Sequence, residues 1–309
     1  MTQMAEPAAG LRPLDGWATL IILVCCACWG MNQVAIKIAS AGIPPMLQAG
    51  VRSLLSGLLV FAWAWFRNVP LFERDGSLRA GLAIGIAFAV NFMMVYPGLQ
   101  YTTASRAVLF IYSMPFFVAI GAHYLIPGDR ITPTKAAGLL ASFAGLAVAV
   151  GDGLSGKSEG SLLGDLLCLG SAIGWAITTI LMRTTTLRAV VPEKVLLYQL
   201  GFSAPLLLIV SAAIGEAIPP FPEPQILAAF AYTVVIVAFI TYITWVWLLS
   251  RHPPSAVSSF VFLAPIFGVL AGALFLGETV NIQTWISLAL VAFGIALINK
   301  PVRVDPTKT

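Results

Sequence analysis

Residues 25–40, CCACWGMNQVAIKIAS, set an indole and two amides inside an apolar run. Trp29, Asn32 and Gln33 stand at i, i+3 and i+4, so a helix presents all three on one face. The spacing returns at Trp175, Thr178 and Thr179, with Ser171 one turn earlier. Amides, hydroxyls and rings bind small molecules by hydrogen bonding and stacking; they supply no nucleophile with a base. In lipid, each unsatisfied polar group costs several kcal/mol, so such stripes must face other helices or a wet cavity. As glue across a packed interface, each amide contributes roughly 1 kcal/mol. Two stripes at matching places favour a cavity lining at the middle of the membrane.

The same combination of polar tip and ring recurs at Asn91, at Tyr112 with Ser113, at Tyr242 with Trp245, and at Ser258, Ser259 and Phe262. Core packing explains any one ring alone; the substrate-binding reading rests on the set. Pro115 and Pro265 fall near mid-span in matching positions, where a proline kinks or breaks a helix, so they are the candidate hinges. The cavity these residues imply is uncharged. Arg52, about two turns into a span, is expected to snorkel or to cap a neighbouring helix. His123 reads as a satisfied interfacial histidine. Asp129 and Glu278 follow glycines as interfacial stops, and Asp165 suits the positive end of a helix dipole.

Composition fixes the solvent. Hydrophobic residues make up 59% of the 309 and charged residues 10%, whereas a soluble domain carries roughly a quarter charged. The chain is therefore a polytopic membrane protein, and its +4 charge speaks for loops facing anionic lipid rather than for nucleic acid. Cys25 and Cys28 have CxxC spacing, but no second pair or nearby histidine completes a metal site. No cofactor is expected. The apolar run after the first fifteen residues is one of many, so a cleaved signal peptide is not expected.

A membrane helix needs about 20 mostly apolar residues. That ruler predicts about ten spans, at 17–38, 45–66, 78–99, 104–126, 134–151, 161–182, 194–214, 225–249, 255–276 and 281–299. With the amino terminus inside, Arg12, Arg67, Arg74, Arg79, Arg130, Lys135, Arg183, Arg188, Lys194, Arg251, Lys300, Arg303 and Lys308 share one side. Lys37, Arg106 and Lys157 take the other. This bias predicts that both termini are cytoplasmic. Trp17, Trp63, Trp65 and Trp285 near span ends read as interfacial anchors. Gly138, Ala141, Gly145 and Ala149, together with Gly81-xxx-Gly85 and Gly268-xxx-Gly272, allow close helix contact within or between protomers.

A repeat is visible. FIYSMPFF (110–117) lies over FVFLAPIF (260–267), Gly128-Asp129 over Gly277-Glu278, Gly145 over Gly294, Trp29 over Trp175, and Lys37 over Arg183. Each copy has five spans, an odd number, so the second enters the membrane from the opposite side. The fold class predicted is all-α, with ten transmembrane helices as two inverted five-helix repeats (1–152 and 153–300) around a central cavity, followed by a short tail (301–309).

CCACWGMNQVAIKI in the first span, GDLLCLGSAIGWAITTILMR in the sixth and LAPIFGVLAGALFLGETV ending the ninth resemble the drug/metabolite transporter superfamily, EamA type. FIYSMPFFVAIGAHYLIPGD is most similar to its bacterial aromatic amino-acid exporter branch. The resemblance implies a multi-pass protein of the bacterial inner membrane that exports neutral or aromatic amino acids by alternating access, as monomer or homodimer. With no carboxylate at mid-membrane, facilitated rather than proton-driven export is expected. Export of other metabolites or drugs with proton coupling, and a channel, remain the alternatives. An intramembrane enzyme would need a nucleophile with a base, a metal cluster or paired carboxylates. The two histidines lie far apart and the 13 acids nearly all fall in loops.

Overall fold

The computed structural model describes residues 14–126, 131–154, 161–217, 220, 222–252, 257 and 260–298. Every regular element among them is helical: α1 (Gly16–Ser40), α2 (Pro45–Phe66), α3 (Leu78–Tyr101), α4 (Ala104–Ile111), α5 (Met114–Leu125), α6 (Pro133–Leu154), α7 (Leu162–Thr184) and α8 (Pro192–Ala213). Then follow α9 (Pro224–Ala231), a π-helical segment (Tyr232–Ile240), α10 (Thr241–Arg251), α11 (Ala264–Leu276) and α12 (Ile282–Ile298), with short 3-10 turns at Thr186–Ala189 and Val261–Leu263.

Among the described residues, seven helical stretches are long and apolar enough to cross a membrane. By that measure α4 with α5 is one stretch, and α9 with the π segment and the start of α10 is another; α6, α11 and α12 are shorter apolar helices.

Side chains sort in the reverse of a soluble helix. On α2, Leu54, Leu58, Phe61 and Trp65 are exposed along one face, while Gln48, Arg52 and Ser56, each four residues apart, are enclosed on the other. Trp17, Trp63, Trp65 and Trp285 are exposed near helix ends, where amphipathic rings meet the headgroup layer.

Local chemistry sets the helix starts. Asp15 caps α1 by accepting from the Ala18 N–H at 2.7 Å, and Ser161 caps α7 through the Gly164 N–H at 3.3 Å. Proline opens α2, α5, α8, α9 and α11, where its missing N–H leaves no helical bond unmade. Pro115 and Pro265 are therefore not interior kinks. The fourth predicted span stops at Tyr112–Ser113 and restarts as α5, and α11 starts behind the 3-10 turn at Val261–Leu263.

The main packing pairs are α6 with α12, α3 with α7 and α8, α2 with α8, α1 with α11, α5 with α7, and α2 with the π segment. Elements before residue 155 thus pack chiefly on elements after residue 161. The small-residue motifs make these pairs within one chain. Gly81 and Gly85 lie under Tyr198 and Phe202 of α8. Gly145 faces Ser287 and Val291 of α12, and Gly294 faces Gly138 and Ser142 of α6.

Gly30 marks a tight helix crossing. A Cβ there would lie 2.5 Å from the Ala264 carbonyl oxygen and 2.6 Å from the Gly268 nitrogen. Both are backbone atoms and cannot turn aside, so α1 and α11 must separate. Gly30→Ala is expected to lower stability by about 1–3 kcal/mol, read as a lower unfolding midpoint in detergent; an unchanged midpoint would show that the crossing has slack.

Candidate functional site

The structure brings Trp29, Tyr112 and Trp245 into one cluster, with Cys26, Leu248 and Phe260 around them. The Trp29 and Trp245 rings meet edge to face, with centroids 5.0 Å apart. Trp29 Nε1 donates to Thr241 Oγ1 at 2.8 Å, and the Tyr232 hydroxyl donates to the Cys28 carbonyl at 2.9 Å. Two bonds thus tie α1 to the helix that carries Trp245. Tyr112, at the break between α4 and α5, touches this cluster and the main core alike. Ser113 turns its hydroxyl onto the Phe110 carbonyl at 2.6 Å.

The amide oxygens of Asn32 and Gln33 are enclosed and have no partner. A buried polar atom left unsatisfied costs about 1–3 kcal/mol. Asn91 on α3 accepts from the Ser171 hydroxyl on α7, while its amide nitrogen is enclosed and unpartnered. On α7 the stripe is spent differently: Thr178 and Thr179 both donate to the Trp175 carbonyl of their own helix, at 2.7 and 3.0 Å. Trp175 is 39% exposed and belongs to neither aromatic cluster. Tyr242 packs on the main core and donates to the Pro192 carbonyl at 2.9 Å. Ser258 and Ser259 lie outside the described residues, as does the side chain of Phe262, whose backbone sits in the 3-10 turn.

The charged groups hold the largest departures from the sequence reading. Asp165 does more than face a helix dipole: it is 1% exposed and forms a buried ion pair with Arg106. Thr102 Oγ1 donates to the same carboxylate at 2.8 Å, and Arg106 also donates to the Ala149 carbonyl at 2.8 Å. Counting Arg106 as a loop charge missed that it stands in the first turn of a helix, 5% exposed.

Glu278 is not an interfacial stop either. Gly277, at φ 65°, turns the chain back after α11, and Glu278 accepts from the Ala104 and Ser105 N–H groups at 2.6 and 2.9 Å and from the Ser105 hydroxyl at 2.7 Å. Lys37 stands 3.6 Å away and donates to the Thr102 carbonyl at 2.8 Å. A cavity of 360 Å³ opens here between Lys37, Tyr101, Thr102 and Glu278. Glu216 likewise takes the Met46 and Leu47 N–H groups at the start of α2, at 3.0 and 2.7 Å.

At the other end of α2 and α3, Lys194 meets Asp75 at 2.8 Å. Hydrogen bonds from Lys194 and Ser77 hold the Asp75 carboxyl well below the usual carboxylate range. The larger cavity, 690 Å³, lies beside this pair among Phe61, Phe72, Tyr198 and Phe202. It contains none of the predicted site residues and sits on the exposed flank of α2. Enclosed polar groups lie instead between α1, α2, α3 and the π segment. His123 accepts from the Ile131 N–H through Nδ1 at 3.2 Å. Asp129 lies outside the described residues. Among the described residues no cluster of His, Cys, Asp and Glu could hold a metal ion.

Apolar helices turned outward and polar groups enclosed between them define an all-helical membrane protein with an internal polar layer. Its sequence matches the EamA-like transporter family twice, over residues 16–151 and 162–300. The chain belongs to that family. It is 29% identical over 277 residues, 88% of each chain, to the uncharacterized transporter YvbV of Bacillus subtilis. The uncharacterized inner membrane transporter YedA of Escherichia coli is 24% identical, covering 96% of this chain and 94% of its own. A probable amino-acid metabolite efflux pump of Escherichia coli is 26% identical, covering 91% and 93%. One solved crystal structure, 21% identical, superposes with a TM-score of 0.65 over 92% of this chain and 98% of its own, and so shares the fold.

Proposed function

We propose that this transporter exports neutral and aromatic amino acids by alternating access, down the substrate gradient, through ten spans arranged as two inverted five-span repeats. The ring cluster of Trp29, Tyr112 and Trp245 beside unpartnered amide oxygens carries the reading. Rings suit an aromatic side chain, by about 0.5–1.5 kcal/mol per pair, and amides suit the polar end. The similarity to an amino-acid metabolite efflux pump points the same way.

The repeat draws support from packing. Exchanging each span for the one five places on converts α3·α7 into the contact of α1 with α9, and α1·α11 into that of α5 with α7. The contact of α3 with α8 becomes that of the π segment with α2, while α2·α8 and α6·α12 map onto themselves. The turns before Pro115 and Pro265 also exchange, which supports the reading of one hinge in each repeat. Both termini are assigned to the cytoplasm, so that α1 ends at the outer face. Cysteines introduced at Lys157 and Arg188 should then label from opposite sides; labelling from the same side would end the inverted-repeat reading.

Counterflow in proteoliposomes against a panel of labelled amino acids tests the function. Saturable exchange of neutral amino acids is expected, with Tyr112→Ala and Trp245→Ala lowering flux of phenylalanine more than that of small neutral amino acids. Equal losses for every substrate would reduce these rings to packing. Export of phosphate esters in preference to amino acids would overturn the substrate class, and uphill accumulation driven only by a pH gradient would overturn facilitated export.

A further inference from the structure

We propose that Arg52 is the binding group for a monoanionic carboxylate on the transported molecule. The proposal rests on the transport reading above and names the part of the substrate that the rings do not recognise.

Arg52 lies about two turns into α2 and is 7% exposed. It neither snorkels nor caps a helix end. Its Nε donates to the Thr233 carbonyl at 3.3 Å, and its guanidinium carbon stands 5.1 Å from the centre of the Phe92 ring. The enclosed Tyr96 hydroxyl lies alongside the guanidinium without a hydrogen bond of good geometry. A guanidinium offers five N–H donors, and one of them is placed on Thr233. The described ion pairs are Lys37–Glu278, Arg106–Asp165 and Lys194–Asp75; among the described residues, no carboxylate pairs with Arg52.

The contrast with Arg106 decides the matter. That arginine, equally buried, meets both oxygens of Asp165 and a backbone carbonyl. A buried charge without its partner costs several kcal/mol, and an ionisable group kept between membrane spans without an opposite charge beside it marks a substrate or ion path. The surroundings of Arg52 are also built. The i to i+5 ladder of the π segment presents the Thr233 and Val234 carbonyls to α2, where Arg52 and Ser56 donate to them. Gln48, one turn before Arg52, is fixed by Ser40 and the Ile36 carbonyl. The Thr233 carbonyl of the π segment and the α3 side chains Phe92 and Tyr96 thus flank the guanidinium, while its fork is left for an acceptor.

One fixed positive charge selects one negative charge, because a phosphate dianion would leave an uncompensated charge in low dielectric. A planar carboxylate matches the fork with two parallel hydrogen bonds. The helix that carries Thr233 also carries Thr241 and Trp245, the partners of Trp29, so anion site and ring cluster share one element. On α1, the unpartnered oxygens of Asn32 and Gln33 are the acceptors that an ammonium group needs.

The test is exchange in proteoliposomes with phenylalanine, phenylalaninamide and phenylacetate. The wild-type protein is expected to exchange phenylalanine and to discriminate against the amide roughly tenfold or more. Arg52→Gln should raise the half-saturation concentration for phenylalanine by a similar factor and erase that discrimination, with Arg52→Lys between the two. Tyr96→Phe, a smaller change that keeps the ring, should weaken phenylalanine severalfold without moving the unfolding midpoint. That variant also serves if Arg52→Gln does not fold. Equal wild-type rates for phenylalanine and its amide, or equal losses for both in Arg52→Gln, would make Arg52 structural while leaving amino-acid export intact. Exchange of phenylacetate but of no amino acid would keep the carboxylate site and overturn the amino-acid reading.

Discussion

Asp165→Leu alone is expected to lower stability by about 3–5 kcal/mol, whereas Arg106→Met combined with Asp165→Leu restores most of the loss. Both groups are almost fully enclosed. Removing the carboxylate takes the charged acceptor from the guanidinium, although the Ala149 carbonyl still accepts from it, and strands the Thr102 hydroxyl as well. Removing both charges deletes the desolvation penalty together with the attraction. Thermal unfolding of the detergent-purified variants reads the difference. If the double variant is as unstable as the single ones, the pair matters for shape rather than for charge, and the electrostatic account fails. Because Thr102 and Ala149 share the network, the two single losses should sum to far more than the double loss.

Glu278→Ala should follow in size, at about 2–4 kcal/mol, since it removes the charged acceptor of two backbone N–H groups and a hydroxyl and the ion-pair partner of Lys37. Two of these bonds come from the first N–H groups of α4, which have no intrahelical partner. The residue also joins α1, α4 and α11 at one membrane face, so its loss should raise labelling of a cysteine placed at Leu276 beside the 360 Å³ cavity. Glu278→Gln keeps acceptors but not charge and should recover about half of the stability. Full recovery with Gln would show that the helix dipole and Lys37 contribute nothing.

The run of helices was legible in the sequence because lipid imposes a single rule, an apolar run of sufficient length; the fourth predicted range divides into α4 and α5, and the ninth begins nine residues before α11. The hydrogen-bonding side chains Asn32, Gln33, Asn91 and Ser171 were legible for the same reason: polarity in an apolar run is conspicuous. Which of them meet was not. Periodicity assigns a face on one helix, but Asn91 finds Ser171 and Trp29 finds Thr241 only through the packing of distant helices. The π segment left no usable signal, since YTVVIVAFI is as apolar as any α-helical span. Charges were misplaced where they stood near predicted span ends. Arg106 and Glu278 lie one turn or less from a loop, and counting by side cannot tell a solvated charge from an enclosed one. Arg52 was visible as a charge inside a span, but its neighbours Phe92 and the Thr233 carbonyl come from distant helices that periodicity cannot join.

The crossing of early elements with late ones has a consequence for synthesis. The buried polar groups of the first half find their partners in the second: Arg106 in Asp165, Asn91 in Ser171, Arg52 in Thr233, Trp29 in Thr241, and Lys37 in Glu278. Chains emerge from the ribosome amino terminus first. The early spans therefore enter the bilayer carrying two arginines and several amides whose counterparts have not yet been translated. They must wait at the insertion machinery, or pair provisionally with water and headgroups, until α7 and its successors arrive. Assembly is then a late event of closure, and a nascent chain halted before residue 161 should be open to quality-control proteases however apolar its helices are.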